Sequence, residues 1–212
     1  MALLSALVVL FLLYPVMVEL DLASFYRLCF VAFLIVALWA VSRDRRVLMT
    51  ALVLGVPTIV GQFGIFAAPT RVVLVGTGAL ALLFLSFTTI VILLAVLRPG
   101  KVTGDKLAGA ICVYLMLGLT FAIAFSVLEA TRPGAFLLPA ELSGPELGHG
   151  GEYVFIYFSF STLTTLGYGD IVPVAAFART LTWVEAATGQ LYLAILIARL
   201  VGLHLVHRQA EP

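Results

Sequence analysis

Long apolar runs, interrupted by short polar joints, fill most of the chain. Six of them, at 3–18, 26–41, 47–66, 72–97, 107–128 and 176–205, approach or exceed the roughly 20 residues that a helix needs to cross about 30 Å of hydrocarbon, the first two being on the short side. A seventh run, 153–163, would rise only about 16 Å as a helix, so it has to enter the membrane and turn back. A non-helical return at that depth is tolerated only where protein or a water-filled cavity shields its backbone. The pattern predicts an all-α integral membrane protein with six transmembrane helices plus one re-entrant helix and a loop between the fifth and sixth. Pro99 and the glycines of the joint at 98–104 mark a break. It divides the chain into an N-terminal four-helix unit, 1–99, and a second unit, 100–212.

Composition agrees with that class: 63% of the residues are hydrophobic, 11% are charged, and mean hydropathy is +1.17. A formal net charge of +1 gives nucleic acid or an acidic partner nothing to bind. The few charges are distributed unevenly. Arg43, Arg45, Arg46, Arg98, Lys101, Lys106 and Arg208 fall on one side, with Asp44 and Asp105 among them. The opposite side carries Glu19, Asp21, Glu129, Glu141, Glu146, Glu152 and Asp170, against Arg27, Arg71, Arg132 and Arg179. The positive-inside rule then makes both termini cytoplasmic and turns the loop after the re-entrant helix outward. The first run lacks a basic leader and reads as a retained span, not a signal peptide.

Cys29 and Cys112 lie at opposite depths, too far apart for a disulfide, and read as small buried hydrophobes. Ser86, Thr88 and Thr89 in the fourth span read as helix-packing hydroxyls. No cluster of His, Asp and Glu has ligand spacing, and no nucleophile has a base beside it, so an enzyme is not expected.

Against this apolar background one stretch stands out: Thr164-Thr165-Leu166-Gly167-Tyr168-Gly169-Asp170. Glycine accepts positive φ cheaply, so alternating Gly167 and Gly169 with larger residues lets successive peptides turn alike and aim their carbonyls at one axis. Such a row binds cations. One strand supplies one oxygen per level, so several copies must surround the axis.

Residues 165–170 resemble the selectivity-filter signature of potassium channels, usually Thr-Val/Ile-Gly-Tyr-Gly-Asp. The resemblance implies a homotetramer embedded in membrane lipids, with an outer helix at 107–128, a turret at 130–151, a pore helix at 152–164, the filter at 165–170 and an inner helix at 176–207. It implies K+ on Thr165, Leu166, Gly167 and Tyr168, with Gly169 completing the filter and Asp170 capping its outer end, and no cofactor besides the ions. A voltage sensor of the usual kind does not carry over, because 72–97 contains no charge and Arg71 and Arg98 flank it.

Several positions depart from the family pattern. Leu166 replaces a stiffer β-branched residue. Tyr157 and Phe158 stand where paired aromatics, commonly tryptophans, brace the filter tyrosine; the rings persist without indole donors, so packing is expected to hold them, the alternative being ordinary core rings. Ser161 stands where some members carry a glutamate that pairs with the filter aspartate. Glu185, deep in the last span, is expected to substitute by hydrogen-bonding Ser161 or Thr162 from behind. Thr164 completes the support group. Gly189 is the expected hinge of the inner helix, with close helix packing as the alternative. Leu193 and Ile197 share its face and line either the cavity or a packing stripe. Arg199, His204, His207 and Arg208 read as snorkelling to headgroups, and His149 as a solvated turret residue. No soluble ligand-binding domain is expected after them. The function implied is a passive, potassium-selective channel of a prokaryotic inner membrane; a weakly selective cation channel and a transporter or accessory subunit are the alternatives.

Overall fold

In the computed structural model the described residues are 2–19, 23–40, 44–67, 70–100, 103–139 and 147–209. They form helices α1 (Ala2–Glu19), α2 (Ala23–Ala40), α3 (Arg45–Ala67), α4 (Arg71–Val96) and α5 (Gly104–Thr131), then strand β1 (Phe136–Leu137), helix α6 (Leu147–Leu163), strand β2 (Val172–Pro173) and helix α7 (Ala176–Gln209). The all-helical class expected from the apolar runs is what the chain adopts, with one small β ribbon added. Among the described residues four helical stretches are long and apolar enough to cross a membrane: Arg45–Ile65, Arg71–Val96, Gly104–Thr131 and Ala176–Arg199. Helices α1 and α2 have 18 residues each. At about 1.5 Å per residue they rise roughly 27 Å, a little under the hydrocarbon thickness.

Local chemistry sets the helix ends. Thr70 and Thr103 cap α4 and α5, their side chains accepting from the backbone N–H of Val73 and Lys106. Asp44 does the same for α3, its carboxylate accepting from the Arg46 N–H at 2.9 Å. The carboxyl ends are closed by cations from neighbouring helices. Arg71 at the start of α4 donates to the carbonyls of Ala130 and Thr131, both at 2.5 Å, at the end of α5. At the other end of the bundle Arg199 of α7 donates to the Leu97 carbonyl that closes α4, and Lys106 donates to those of Arg98 and Gly100. Arg199 was expected to snorkel; an unsatisfied carbonyl within reach holds it instead. The side chains of His204, His207 and Arg208 lie outside the described set.

Each of the first five helices packs on the next, and α1 returns to α5. One apolar cluster runs from Leu3, Leu7 and Leu10 of α1 through Phe33, Leu34 and Phe84 to Cys112, Met116 and Leu119 of α5 and Ile156 of α6. The units expected on either side of Pro99 therefore share a core, although the chain does turn there. Gly118 lets α6 approach α5, since a Cβ at that position would lie 2.7 Å from the Phe160 ring. The opposite side of Phe160 meets Phe11 of α1 edge-on, with centroids 4.9 Å apart.

Cys29 and Cys112 are both free, as expected. Thr88 and Thr89 are buried, and Thr88 donates back to the Phe84 carbonyl at 2.8 Å, consistent with packing hydroxyls. Arg27, near the start of α2, is buried.

Because Arg71 satisfies two carbonyls that α5 cannot satisfy itself, Arg71→Ala should lower the unfolding free energy in detergent by about 1–2 kcal/mol. Chemical denaturation of the two proteins measures it, and coincident midpoints would show that the cap contributes nothing.

Candidate functional site

The re-entrant segment is held from both sides before it turns. Helix α6 starts at Leu147, more than a turn earlier than expected, and takes in His149, so that residue belongs to a helix and not to the turret; its side chain is outside the described set. Only the first part of the turret is described, and it is structured. Glu129 at the end of α5 accepts from the N–H groups of Gly134 at 2.7 Å and Phe136 at 3.1 Å. That turn delivers β1, which pairs antiparallel with β2, Phe136 opposite Pro173 and Leu137 opposite Val172. The ribbon clasps the segment beyond the filter stretch to the top of α5. Beneath it Phe125, Phe136, Phe155 and Phe158 form a buried ring cluster with edge-to-face contacts at 5.0–5.5 Å.

Phe158 is thus a core residue of that cluster, the alternative allowed for it, and not a brace of Tyr168. Tyr157 does reach the 165–170 stretch. Its ring stacks on Tyr168 at 6.3 Å and 6° between planes, and its hydroxyl donates to the Asp170 carboxylate. Beside the expected packing, this phenol supplies a donor as an indole does.

At the end of α6 the backbone reverses through a run of directed hydrogen bonds. The N–H of Thr165 donates to the Thr162 carbonyl at 2.9 Å. Those of Leu166 and Gly167 donate to the Ser161 carbonyl at 2.8 and 3.1 Å. The Gly167 N–H also reaches the Ser161 hydroxyl at 3.1 Å. No peptide in the described chain is cis. A planar trans peptide points its carbonyl opposite its N–H. The carbonyls of Thr164, Thr165 and Leu166 therefore leave on the side away from α6, in one row.

Left-handed backbone recurs at every second residue: Thr165 at φ 60°, Gly167 at 56° and Gly169 at 81°. Gly167 and Gly169 were expected there and Thr165 was not. A β-branched residue at positive φ is a strained outlier, at a cost of about 1–3 kcal/mol. Its own N–H bond and a 2.7 Å bond from its hydroxyl to the Thr164 carbonyl help to offset that cost. Stepping back by two from the glycines would have located it. Thr164 extends the helical pattern, its hydroxyl donating to the Phe160 carbonyl at 2.7 Å.

Glu185 is fully buried behind α6. Its partner is Ser159, not Ser161 or Thr162. The reason is that Ser161 is already engaged with the Gly167 N–H, whereas Ser159 lies a half-turn back, facing α5 and α7. Oγ of Ser159 is also 2.6 Å from the Gly118 carbonyl. Nearby, Tyr192 of α7 donates to the Ala110 carbonyl at 2.6 Å and stacks on Tyr114, whose hydroxyl points to the Leu163 carbonyl at 3.5 Å.

Gly189 sits against the same helix end: a Cβ there would lie 2.5 Å from the Leu163 carbonyl and 2.8 Å from its side chain. That is the close-packing role, and α7 runs helical through the position. Leu193, one turn further along the same face, is partly exposed, and Ile197 is exposed.

Comparison with known proteins bears on the same region. Residues 153–203 match the ion channel family. Over 86 residues the chain is 33% identical to the inward rectifier potassium channel Kirbac3.1 of Paramagnetospirillum magnetotacticum, an alignment covering 39% of this chain and 24% of that protein. The chain spans about a quarter of the length of that curated relative. No solved structure matches. The family matched is a non-enzymatic one, in line with the sequence reading.

Two substitutions separate the contacts at the end of α6. Gly189→Ala forces backbone apart and should lower ion flux into vesicles about tenfold or more. Ser161→Ala removes a hydroxyl but leaves the carbonyl that two N–H groups share, so its loss should be several-fold at most. The reverse ranking would overturn this description of how the strand is held. At the outer end, Tyr157→Phe keeps the stack and loses the Asp170 bond, worth about 1 kcal/mol, while Tyr157→Ala loses both. Sustained flux should fall in that order, and equal loss in the two variants would assign everything to the hydroxyl.

Proposed function

We propose that this chain, whose re-entrant segment matches the ion channel family, is one subunit of a homotetrameric channel that conducts K+ passively through a central pore. The observation that carries the reading is the anchoring of three consecutive N–H groups on the last turn of α6, which sends a row of carbonyls to the open side. Such a row replaces the water around a dehydrated cation. The relative named above is a potassium channel, and the residues here, Thr165-Leu166-Gly167-Tyr168-Gly169, are those in which the resemblance lies.

Oligomerisation follows from exposure. Every residue of 164–170 is exposed in the isolated chain, Leu166 at 57% and Tyr168 at 68%. Strained polar backbone at membrane depth is not stable against lipid, so further copies around an axis are what would cover it. Four copies would bring four α6 carboxyl ends, each the negative pole of a helix dipole, under the filter, favouring a cation. K+ binds at Thr165, Leu166, Gly167 and Tyr168 in this reading. Asp170, held by Tyr157, adds negative charge at the outer mouth.

The remaining assignments belong to the same proposal. Six helices span, both termini face the cytoplasm, and the membrane is a prokaryotic inner membrane. Helix α4 carries no charge between Arg71 and Val96, so the channel is not conventionally voltage-gated. Leu193 and Ile197 line the inner cavity, and Gly189, packed closely on the end of α6 in this conformation, is the point at which α7 would bend when the gate opens.

The test is the reversal potential of the purified chain in a planar bilayer with potassium on one side and sodium on the other. The expected value lies close to the potassium equilibrium limit and is lost in Gly167→Ala. Clear currents reversing near zero would make this a weakly selective cation channel, with Leu166 the first position to examine. A protein that is monomeric in both detergent and membrane would end the tetrameric reading.

A further inference from the structure

The protons around Ser159 do not add up if Glu185 is a carboxylate. Ser159 carries one hydroxyl proton, and two oxygens lie within hydrogen-bond distance of it: the Gly118 carbonyl at 2.6 Å and Oε1 of Glu185. A carbonyl has no proton to give, nor has an ionised carboxylate. If the hydroxyl donates to Glu185, two acceptor oxygens are left pressed together at 2.6 Å on the Gly118 side with nothing between them. If it donates to Gly118, the contact with Glu185 needs a proton that only Glu185 can supply. The second oxygen points the same way. Oε2 of Glu185 is buried and has no hydrogen-bond partner among the described residues. Half of a carboxylate's charge left there would forfeit its hydration, whereas a neutral carbonyl oxygen forfeits much less.

We infer that Glu185 is a carboxylic acid in the folded chain, donating to Ser159, which in turn donates to Gly118. The chain of bonds runs in one direction through three helices, from α7 to α6 to α5. Glu185 is then a positioning residue: it fixes α6 two residues before Ser161, whose carbonyl and hydroxyl hold the filter N–H groups. The titratable groups around it on α5 and α7 are two phenols and a thiol: Tyr114 of α5 and Tyr192 of α7, stacked on each other, and Cys112 of α5 beside Tyr192. From α6 the titratable residue of 154–163 is Tyr157, turned to Asp170, and β2 contributes only Val172 and Pro173. The described cations of α7, Arg179 and Arg199, are bonded to the carbonyls of Pro173 and Leu97, so neither offers a countercharge.

Loss of the proton would remove the donor, turn the Ser159 hydroxyl toward Glu185 and release Gly118. Flux should accordingly fall in alkaline buffer for as long as Glu185 can ionise. The inference rests on the pore reading only through that flux measurement, because an infrared measurement reads the proton whatever the chain conducts.

The experiment is infrared spectroscopy of the reconstituted full chain at neutral and alkaline pH, paired with potassium flux from vesicles. A protonated-carboxyl C=O band is expected at neutral pH, absent in Glu185→Gln and displaced in Ser159→Ala. Glu185→Gln, whose amide still donates to Ser159, should keep flux within about twofold of the parent and lose the alkaline fall. Glu185→Leu should lose about tenfold or more. A parent spectrum without a band that Glu185→Gln removes would overturn the inference. Equal flux loss in the Gln and Leu variants would overturn the positioning role. A parent chain that passes no potassium at all would count against the pore reading, and the infrared band would still decide the state of Glu185.

Discussion

Everything at the centre of this protein depends on where three backbone protons go. The N–H groups of Thr165, Leu166 and Gly167 all find acceptors in the last turn of α6, and peptide planarity then dictates where the oxygens point. The acceptors are carbonyls that a helix end leaves without intrahelical partners. A cost that every helix carries is used here to set the direction of the next segment. The alternating left-handed residues are the backbone's means of keeping one hand from peptide to peptide, and Thr165 accepts strain so that the alternation starts at the helix itself.

That arrangement is only as exact as the position of α6, and the surrounding helices are shaped to it by subtraction as much as by contact. Gly118 and Gly189 are places where a methyl group would collide, one with the Phe160 ring and the other with the Leu163 carbonyl. The first brings α5 close and the second α7. Polar bonds then fix the depth: Ser159 between Gly118 and Glu185, Tyr192 on Ala110. On the outer side the phenylalanine cluster and the two-residue ribbon do the same by packing.

The apolar runs and the glycine alternation made the helical class, the short helix before the turn and the special stretch legible, because each is a short-range property. Period and length betray a span, and Gly167 and Gly169 announce positive φ. Partner choices were not legible in the same way. Glu185 was an evident oddity, yet whether it met Ser159, Ser161 or Thr162 depended on a half-turn of α6 that no spacing resolves. Phe158 and Tyr157 are neighbours with opposite fates, one in the core and one against Tyr168, since adjacent helical residues face about 100° apart. Glu129 organises a turn that its sequence neighbourhood did not signal, because its acceptors are used by backbone several residues on. Arg199 looked like any basic residue near a membrane surface until a helix end was found beside it.

The bond from Arg199 to Leu97 also makes the two halves of the chain mechanically continuous. The later part of α7 is fastened to the carboxyl end of α4, and the amino end of α4 is fastened through Arg71 to α5. Load applied anywhere along the first four helices thus has a hard-wired path to the far end of the last one, with Gly189, the point at which α7 packs most closely on the end of α6, lying between that attachment and the 165–170 stretch. The N-terminal helices are in this sense less a separate module than the fixed frame against which the last helix is strung.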